Sequence, residues 1–119
     1  IEIPFHMKDG NMMVDIKVEG KPLEANFDTG APCIMLAYDK AKEYGLLSNK
    51  DVGRTTIQGF DGKQSVALYC VVDTVDLGPI RKSKILVFVG GTTVIGQTFF
   101  SDKRYVIDNE KKVIRFMRR

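Results

Sequence analysis

One short stretch of the chain gathers residue types that can do chemistry together: Asp28, Thr29 and Gly30, directly after an apolar run that ends at Phe27. A carboxylate can act as base or acid toward a water molecule. The glycine lets the backbone turn tightly and bring amide groups near that carboxylate. The threonine hydroxyl both donates and accepts, so it can fix the loop. An ordinary turn uses the same residue types, and composition alone places this tripeptide by chance in roughly 2% of chains of this length. Carboxylate hydrolysis of an amide needs two such groups sharing one proton. One draws a proton from water while the other, protonated, polarises the carbonyl. The chain has one Asp-Thr-Gly. Asp73-Thr74-Val75 lacks the glycine, Asp61 sits in a hairpin turn, and Asp102 and Asp108 follow a late apolar segment. None of them makes a second loop of this kind. The missing carboxylate would come from a second copy across a two-fold axis, or from a second homologous domain in cis.

The surrounding sequence must build strands to hold that loop. The chain has 119 residues, 44% of them hydrophobic and 28% charged, which is the size and balance of one folded domain over residues 1–119. Ile1 to Phe5, Met12 to Val18, Leu23 to Phe27 and Cys33 to Leu36 read as strands, the last of the fully buried type. Asp9-Gly10-Asn11 and Glu19-Gly20-Lys21-Pro22 read as turns. Ala37 to Tyr44 has helical spacing, with Gly45 as its stop. Arg54 to Gln58 and Gln64 to Leu77 flank a hairpin turn at Gly59-Phe60-Asp61-Gly62. Ile80 to Val89 ends at Gly90-Gly91, and Arg104 to Ile107 pairs with Val113 to Phe116 in a terminal hairpin. Nine or ten strands with one or two short helices predict an all-β fold, a small closed barrel or sandwich.

Several function classes are excluded or disfavoured. The net charge of +3, with scattered basic residues, argues against nucleic acid as a partner. No apolar stretch approaches the roughly 20 residues of a membrane span. The one histidine, His6, reads as a surface residue, and there is no CxxC, so neither a metal site nor a cofactor is expected. Cys33 and Cys70 lie among apolar neighbours and read as free thiols. Ile1 in place of a starting methionine reads as a processed chain or a piece of a longer precursor.

The run Phe27-Asp28-Thr29-Gly30-Ala31 resembles the active-site signature of the retropepsin-like aspartic proteases. Two further marks agree. Val94-Ile95-Gly96-Gln97-Thr98-Phe99-Phe100 matches the apolar-apolar-glycine element that opens a late short helix, and Thr55 to Val66 sits where the family has its flap. The resemblance runs from about Met12 to Phe116, and Val75-Asp76-Leu77-Gly78-Pro79-Ile80 and Val106-Ile107-Asp108-Asn109-Glu110 are similar to the single-domain bacterial members. Pro32 stands where many members carry a polar residue, and Gln97 where retroviral enzymes often carry arginine.

The resemblance implies an aspartic endopeptidase with Asp28 as the catalytic carboxylate, working as a homodimer. Thr29 would bond across the axis, and Gly30 would let the two loops approach. Ala31 would belong to the floor, and Gly59, Phe60, Asp61 and Gly62 to the flap over an extended peptide or protein substrate. Met35, Val94 and Ile95 read as core more than pocket. By likeness to the bacterial members, a location outside the cytoplasm or on a membrane anchor is implied. A weak or inactive dimer that binds peptides is the alternative, and an unrelated small barrel whose Asp-Thr-Gly is only a turn is a third possibility.

Overall fold

The computed structural model describes residues 1–48, 52–58 and 62–117. Eleven strands and two short α-helices follow one another as β1 (Glu2–Pro4), β2 (His6–Lys8), β3 (Asn11–Val18), β4 (Lys21–Phe27), β5 (Ile34–Ala37), α1 (Tyr38–Glu43), β6 (Gly53–Gln58), β7 (Gln64–Leu77), β8 (Ile80–Gly90), β9 (Val94–Ile95), α2 (Gln97–Phe100), β10 (Arg104–Asp108) and β11 (Val113–Met117). No helix among the described residues is long and apolar enough to cross a membrane.

The turn chemistry determines the hairpins. Lys8 pairs with Asn11 and Val18 with Lys21, so Asp9-Gly10 and Glu19-Gly20 are two-residue loops. All four loop residues have positive φ, the geometry that matches strand twist in such hairpins. An eight-stranded sheet runs β2-β3-β4-β9-β5-β8-β7-β6, and a further pairing of β3 with β7 closes its middle six strands into a ring. The seam is short, with Lys17 opposite Asp76 and Val18 opposite Val75. The closed barrel expected from the strand pattern is therefore present.

A second sheet, β1-β11-β10, joins the two ends of the chain. The strand expected over Ile1 to Phe5 is present as Glu2–Pro4, and a second strand, His6–Lys8, follows it into the other sheet. Glu2 to Pro4 pair with β11, while His6 to Lys8 pair with β3. Phe5 is buried between them, and its N–H donates to the Lys112 carbonyl at 3.0 Å. Burial of this one ring fixes where the chain changes sheet, and no alternation pattern announces it.

The core draws on the inward positions of nearly every strand: Val14, Ile16 and Val18 from β3, Leu23, Ala25 and Phe27 from β4, Val87 and Val89 from β8. Phe27 stacks on Phe100 with ring centroids 4.7 Å apart, and Tyr105 and Phe116 meet Phe27 edge-on. Such pairs add to simple burial. This cluster welds α2, β10 and β11 to the strand that leads into Asp28.

Candidate active site

Strand β4 delivers Asp28. Leu23, Ala25 and Phe27 are buried, whereas Glu24, Asn26 and Asp28 are half-buried on the opposite face. That alternation is the period of a strand with one side on the core. Strand β9 lies parallel to β4, with Asn26 beside Val94 and Phe27 beside Ile95. The Asn26 N–H donates to the Thr93 carbonyl at 3.0 Å and the Asp28 N–H to the Ile95 carbonyl at 3.1 Å. Asp28 therefore keeps the strand geometry one residue beyond the end of β4.

The chain then turns around the carboxylate. The Gly30 N–H donates to Asp28 Oδ1 at 2.9 Å, and the Ala31 N–H to the Asp28 carbonyl at 3.2 Å. The other carboxylate oxygen takes no hydrogen bond or ion pair among the described residues. Thr29 and Gly30 are exposed at the rim. From the far side, α2 grips the loop: the Gln97 N–H donates to the Ala31 carbonyl at 2.8 Å, the Thr98 N–H to the Pro32 carbonyl at 3.1 Å, and Gln97 Nε2 to the Thr29 carbonyl at 2.5 Å. Gly96 makes that grip possible. A Cβ there would stand 2.6 Å from the Ala31 carbonyl oxygen and closer still to that of Cys33.

The apolar-apolar-glycine run and the Asp-Thr-Gly loop, far apart in sequence, thus form one unit. Two parts of that unit lie outside the sequence expectations. Gln97, where retroviral enzymes often carry arginine, supplies a loop-fixing donor. Thr93 is buried, its Oγ1 accepting from the Ala37 N–H at 3.0 Å, so it ties the end of β5 to the strand beside Asp28. A polar residue in a Gly-Gly-Thr-Thr run gave no signal of burial.

The sheet face that carries Asn26 extends well beyond Asp28. Cross-strand neighbours follow one another as Met13, Asn26, Val94, Met35, Phe88, Tyr69 and Gly53. Residues directly opposite share a face, so this row leads from beside the carboxylate to the root of the β6–β7 hairpin. Val94 and Ile95 are buried as expected. Met35 is not core. It is half-buried on this outer row, its sulfur lying where a Cβ on Gly90 would be 2.5 Å away. Strand β5 accordingly alternates between buried and half-buried positions, unlike the fully buried strand expected from its composition. Tyr69 lies across Gly53, whose Cβ would meet the phenol oxygen at 2.6 Å.

The hairpin itself is formed, with Gln58 opposite Gln64. Gly62 is exposed with a φ of 80°, and no hydrogen bond links it to the Asp28 loop among the described residues. Gly59, Phe60 and Asp61 lie outside the described residues. Both cysteines are free, Cys70 buried and Cys33 half-buried, and burial pushes both thiols up. Among the described residues no three His, Cys, Asp or Glu side chains converge as a metal site would require.

Beside Asp28 lies an open cleft of about 270 Å³ whose walls include Asn11, Met12, Asn26, Thr29 and Ile107. A larger cavity, about 680 Å³, opens near Lys17, Pro22, Asp76 and Arg81. Pro22, beside the larger opening, and Asp28, beside the smaller, are six residues and about 20 Å apart along the line of β4.

A family model for aspartyl proteases matches residues 14–99. The chain belongs to the aspartyl protease family. The match spans the Asp-Thr-Gly loop, the hairpin and the late glycine with the start of α2. A crystal structure of a retropepsin-like aspartic protease from Rickettsia conorii superposes with a TM-score of 0.76 at 21% identity, over 98% of this chain and 88% of that one. The fold of this aspartyl protease is therefore retropepsin-like. No curated protein sequence matches it.

Proposed function

We propose that this aspartyl protease is an endopeptidase that hydrolyses extended polypeptides, with Asp28 from two subunits forming one catalytic pair. The observation that carries this reading is the state of the Asp28 carboxylate. One oxygen is fixed by the Gly30 N–H, the other is unpartnered among the described residues, and both stand at the edge of a cleft. A carboxylate serving only as a turn cap has no use for a loop gripped from behind by α2.

Two such carboxylates brought together across a two-fold axis cannot both ionise, so the pair holds one proton between pH values set by the couple. The ionised member takes a proton from water as it attacks the carbonyl. The protonated member donates toward the carbonyl oxygen, and the roles then reverse to release the amine. Thr29, exposed at the rim, would meet its counterpart in the second subunit. The loop's glycine leaves room for that approach. Met35, Phe88 and Tyr69 offer an apolar flank along which the substrate's side chains lie, and the β6–β7 hairpin offers a strand edge for its backbone.

Replacing Asp28 with Asn tests the reading. Cleavage of an unfolded protein at mildly acidic pH is expected to fall at least about a thousandfold, and wild-type activity per subunit is expected to rise with protein concentration in the range where dimers form. Undiminished cleavage by Asp28→Asn would falsify the assignment of Asp28. A wild type that binds peptides without cutting them would make the protein a binding module.

A further inference from the structure

Strand β10 is left open along one side. It forms one edge of the sheet β1-β11-β10, and among the described residues its main chain bonds only to β11. Such an edge is a template for a further strand, and edges that must stay single are blunted by proline, by lysine or by shortness. The opposite edge of the same sheet, β1, has three residues and ends in Pro4. At one edge of the large sheet, β2 has three residues and ends in Lys8. Strand β10 has five residues, Arg104-Tyr105-Val106-Ile107-Asp108, with neither proline nor lysine, and its central Val106 is 49% exposed.

These five residues are complementary to themselves. Laid antiparallel with Val106 opposite Val106, a second β10 sets Arg104 opposite Asp108 twice and Tyr105 opposite Ile107 twice. Opposite charges and aromatic–aliphatic pairs that face each other across strands are the ones that stabilise a sheet. The charges suit this use. The Arg104 guanidinium is exposed and has no partner among the described residues. Asp108 keeps Oδ1 on the N–H groups of Glu110 and Lys111, which holds its carboxylate in place. Asp108 and Glu2 both turn to one guanidinium, that of Arg115, at 3.0 and 2.8 Å. Two carboxylates around one arginine leave one negative charge over, and Arg104 of a second copy supplies the positive one.

We propose that β10 is the surface on which two copies of this chain join, their three-stranded sheets merging into one of six strands, with Arg104 of each subunit paired to Asp108 of the other. The proposal rests on the reading that two Asp28 carboxylates form one site, and it names the surface that unites them. The two-fold axis of an antiparallel pair stands perpendicular to the sheet, so both subunits turn the same sheet face to the same side. Tyr105 and Ile107 alternate with the exposed Val106 and lie on that face. The Tyr105 ring meets that of Phe27, the residue before Asp28, at 5.7 Å between centroids, and Ile107 lines the cleft beside Asp28. Two Asp28 loops therefore stand over one joint sheet, on either side of one axis.

Sedimentation equilibrium, non-reducing gels and cleavage of an unfolded protein test this with wild type, Arg104→Glu, Val106→Cys and Arg104→Cys, all substitutions at exposed positions. Arg104→Glu sets carboxylates against each other at both ends of the pairing and is expected to weaken the dimer about tenfold or more. Activity at limiting protein concentration should fall with it. Residue 106 faces its own copy at about 4.5–5.5 Å between Cα atoms, within disulfide reach, so oxidised Val106→Cys is expected to run as a linked dimer. Arg104→Cys is expected to stay unlinked, because its copy lies about 14 Å away along the strands. Wild type controls for links through Cys33 and Cys70. A dimer of undiminished strength in Arg104→Glu, with no link through Val106→Cys, overturns the β10 surface and leaves the paired Asp28 reading standing. A linked Val106→Cys and a weakened Arg104→Glu dimer, with no cleavage by wild type, uphold the surface and overturn hydrolysis. A wild type that cuts as a strict monomer overturns both.

Discussion

The two ends of β4 present opposite kinds of surface. At its start, Pro22 borders a cavity of about 680 Å³ that holds a close ion pair, Arg81 Nε to Asp76 Oδ1 at 2.7 Å. The hydrogen bond from Arg81, with its charge, holds the Asp76 carboxyl below the usual carboxylate range. At the other end, Asp28 lines a cleft less than half that size, with no ion pair to its carboxylate among the described residues. By size and by charge the first opening is the more conspicuous. Yet its charged pair rests on the side chains of two strands, β7 and β8, while the loop around Asp28 is held by main chain. Around Asp28 the carbonyls of Ile95, Ala31, Pro32 and Thr29 all accept hydrogen bonds within one loop and its support. A paired surface charge needs only a partner; a carboxylate that must meet a reacting atom needs a backbone that cannot shift. On the proposed role of Asp28, the difference teaches that fixed main chain, more than cavity volume or perturbed charge, marks the reactive end of this barrel.

Three substitutions break or sharpen that contrast. The largest effect is expected from Gly96→Ala, because the added Cβ meets the backbone carbonyls of Ala31 and Cys33, neither of which can swing aside. Overpacking of this kind costs about 2–3 kcal/mol. Urea titration should show that loss, and cleavage should fall about a hundredfold or more as the loop is displaced. A stable and fully active Gly96→Ala would mean that the loop tolerates movement.

A smaller effect is expected from Gln97→Leu. It removes the donor to the Thr29 carbonyl but leaves the Gln97 main-chain bond to Ala31 in place. Stability should change by about 1 kcal/mol or less, whereas kcat should drop about tenfold with KM little altered. An equal change in both parameters would assign Gln97 to substrate binding and not to loop placement.

The smallest effect belongs to the other opening. Asp76→Asn breaks the Arg81 pair, which is solvent-exposed on the arginine side. Cleavage should be unchanged, and Tm at neutral pH should fall by no more than about 3 °C. Because folding lowers the Asp76 pKa, the stability it contributes is full above the unfolded carboxylate range and is lost as the pH falls through the folded value. The Tm gap between wild type and Asp76→Asn should therefore close on acidification, and thermal melts across the acid range check the sign.

Much of this structure was legible in the sequence because it depends on local rules. Asp9-Gly10 and Glu19-Gly20 mark hairpins wherever strands flank them, and the alternation of Met12 to Val18 forecasts which side chains meet the core. Asp28-Thr29-Gly30 was legible as a loop at the end of an apolar strand. What escaped depends on partners distant in sequence. A second strand, His6–Lys8, follows the expected first one in the other sheet because the Phe5 ring between them is buried and its N–H meets Lys112. Met35 faces outward because β5 lies between β8 and β9, with the core on one side only. Thr93 reads as an ordinary polar residue and Gln97 as a departure from arginine, and their bonds arise from the strands and loop set beside them.

The parallel pairing of β4 with β9 also carries a consequence in time. The last strut of the Asp28 loop, from the Gln97 side chain to the Thr29 carbonyl, joins residues 68 positions apart. A ribosome makes Asp28 long before it makes Val94, Ile95 and Gln97. Until those residues have emerged, the nascent chain carries its aspartate on a loop without walls. The carboxylate takes its fixed place only after Gln97 has emerged, so the loop forms on a chain already long enough to hold the strands beside it.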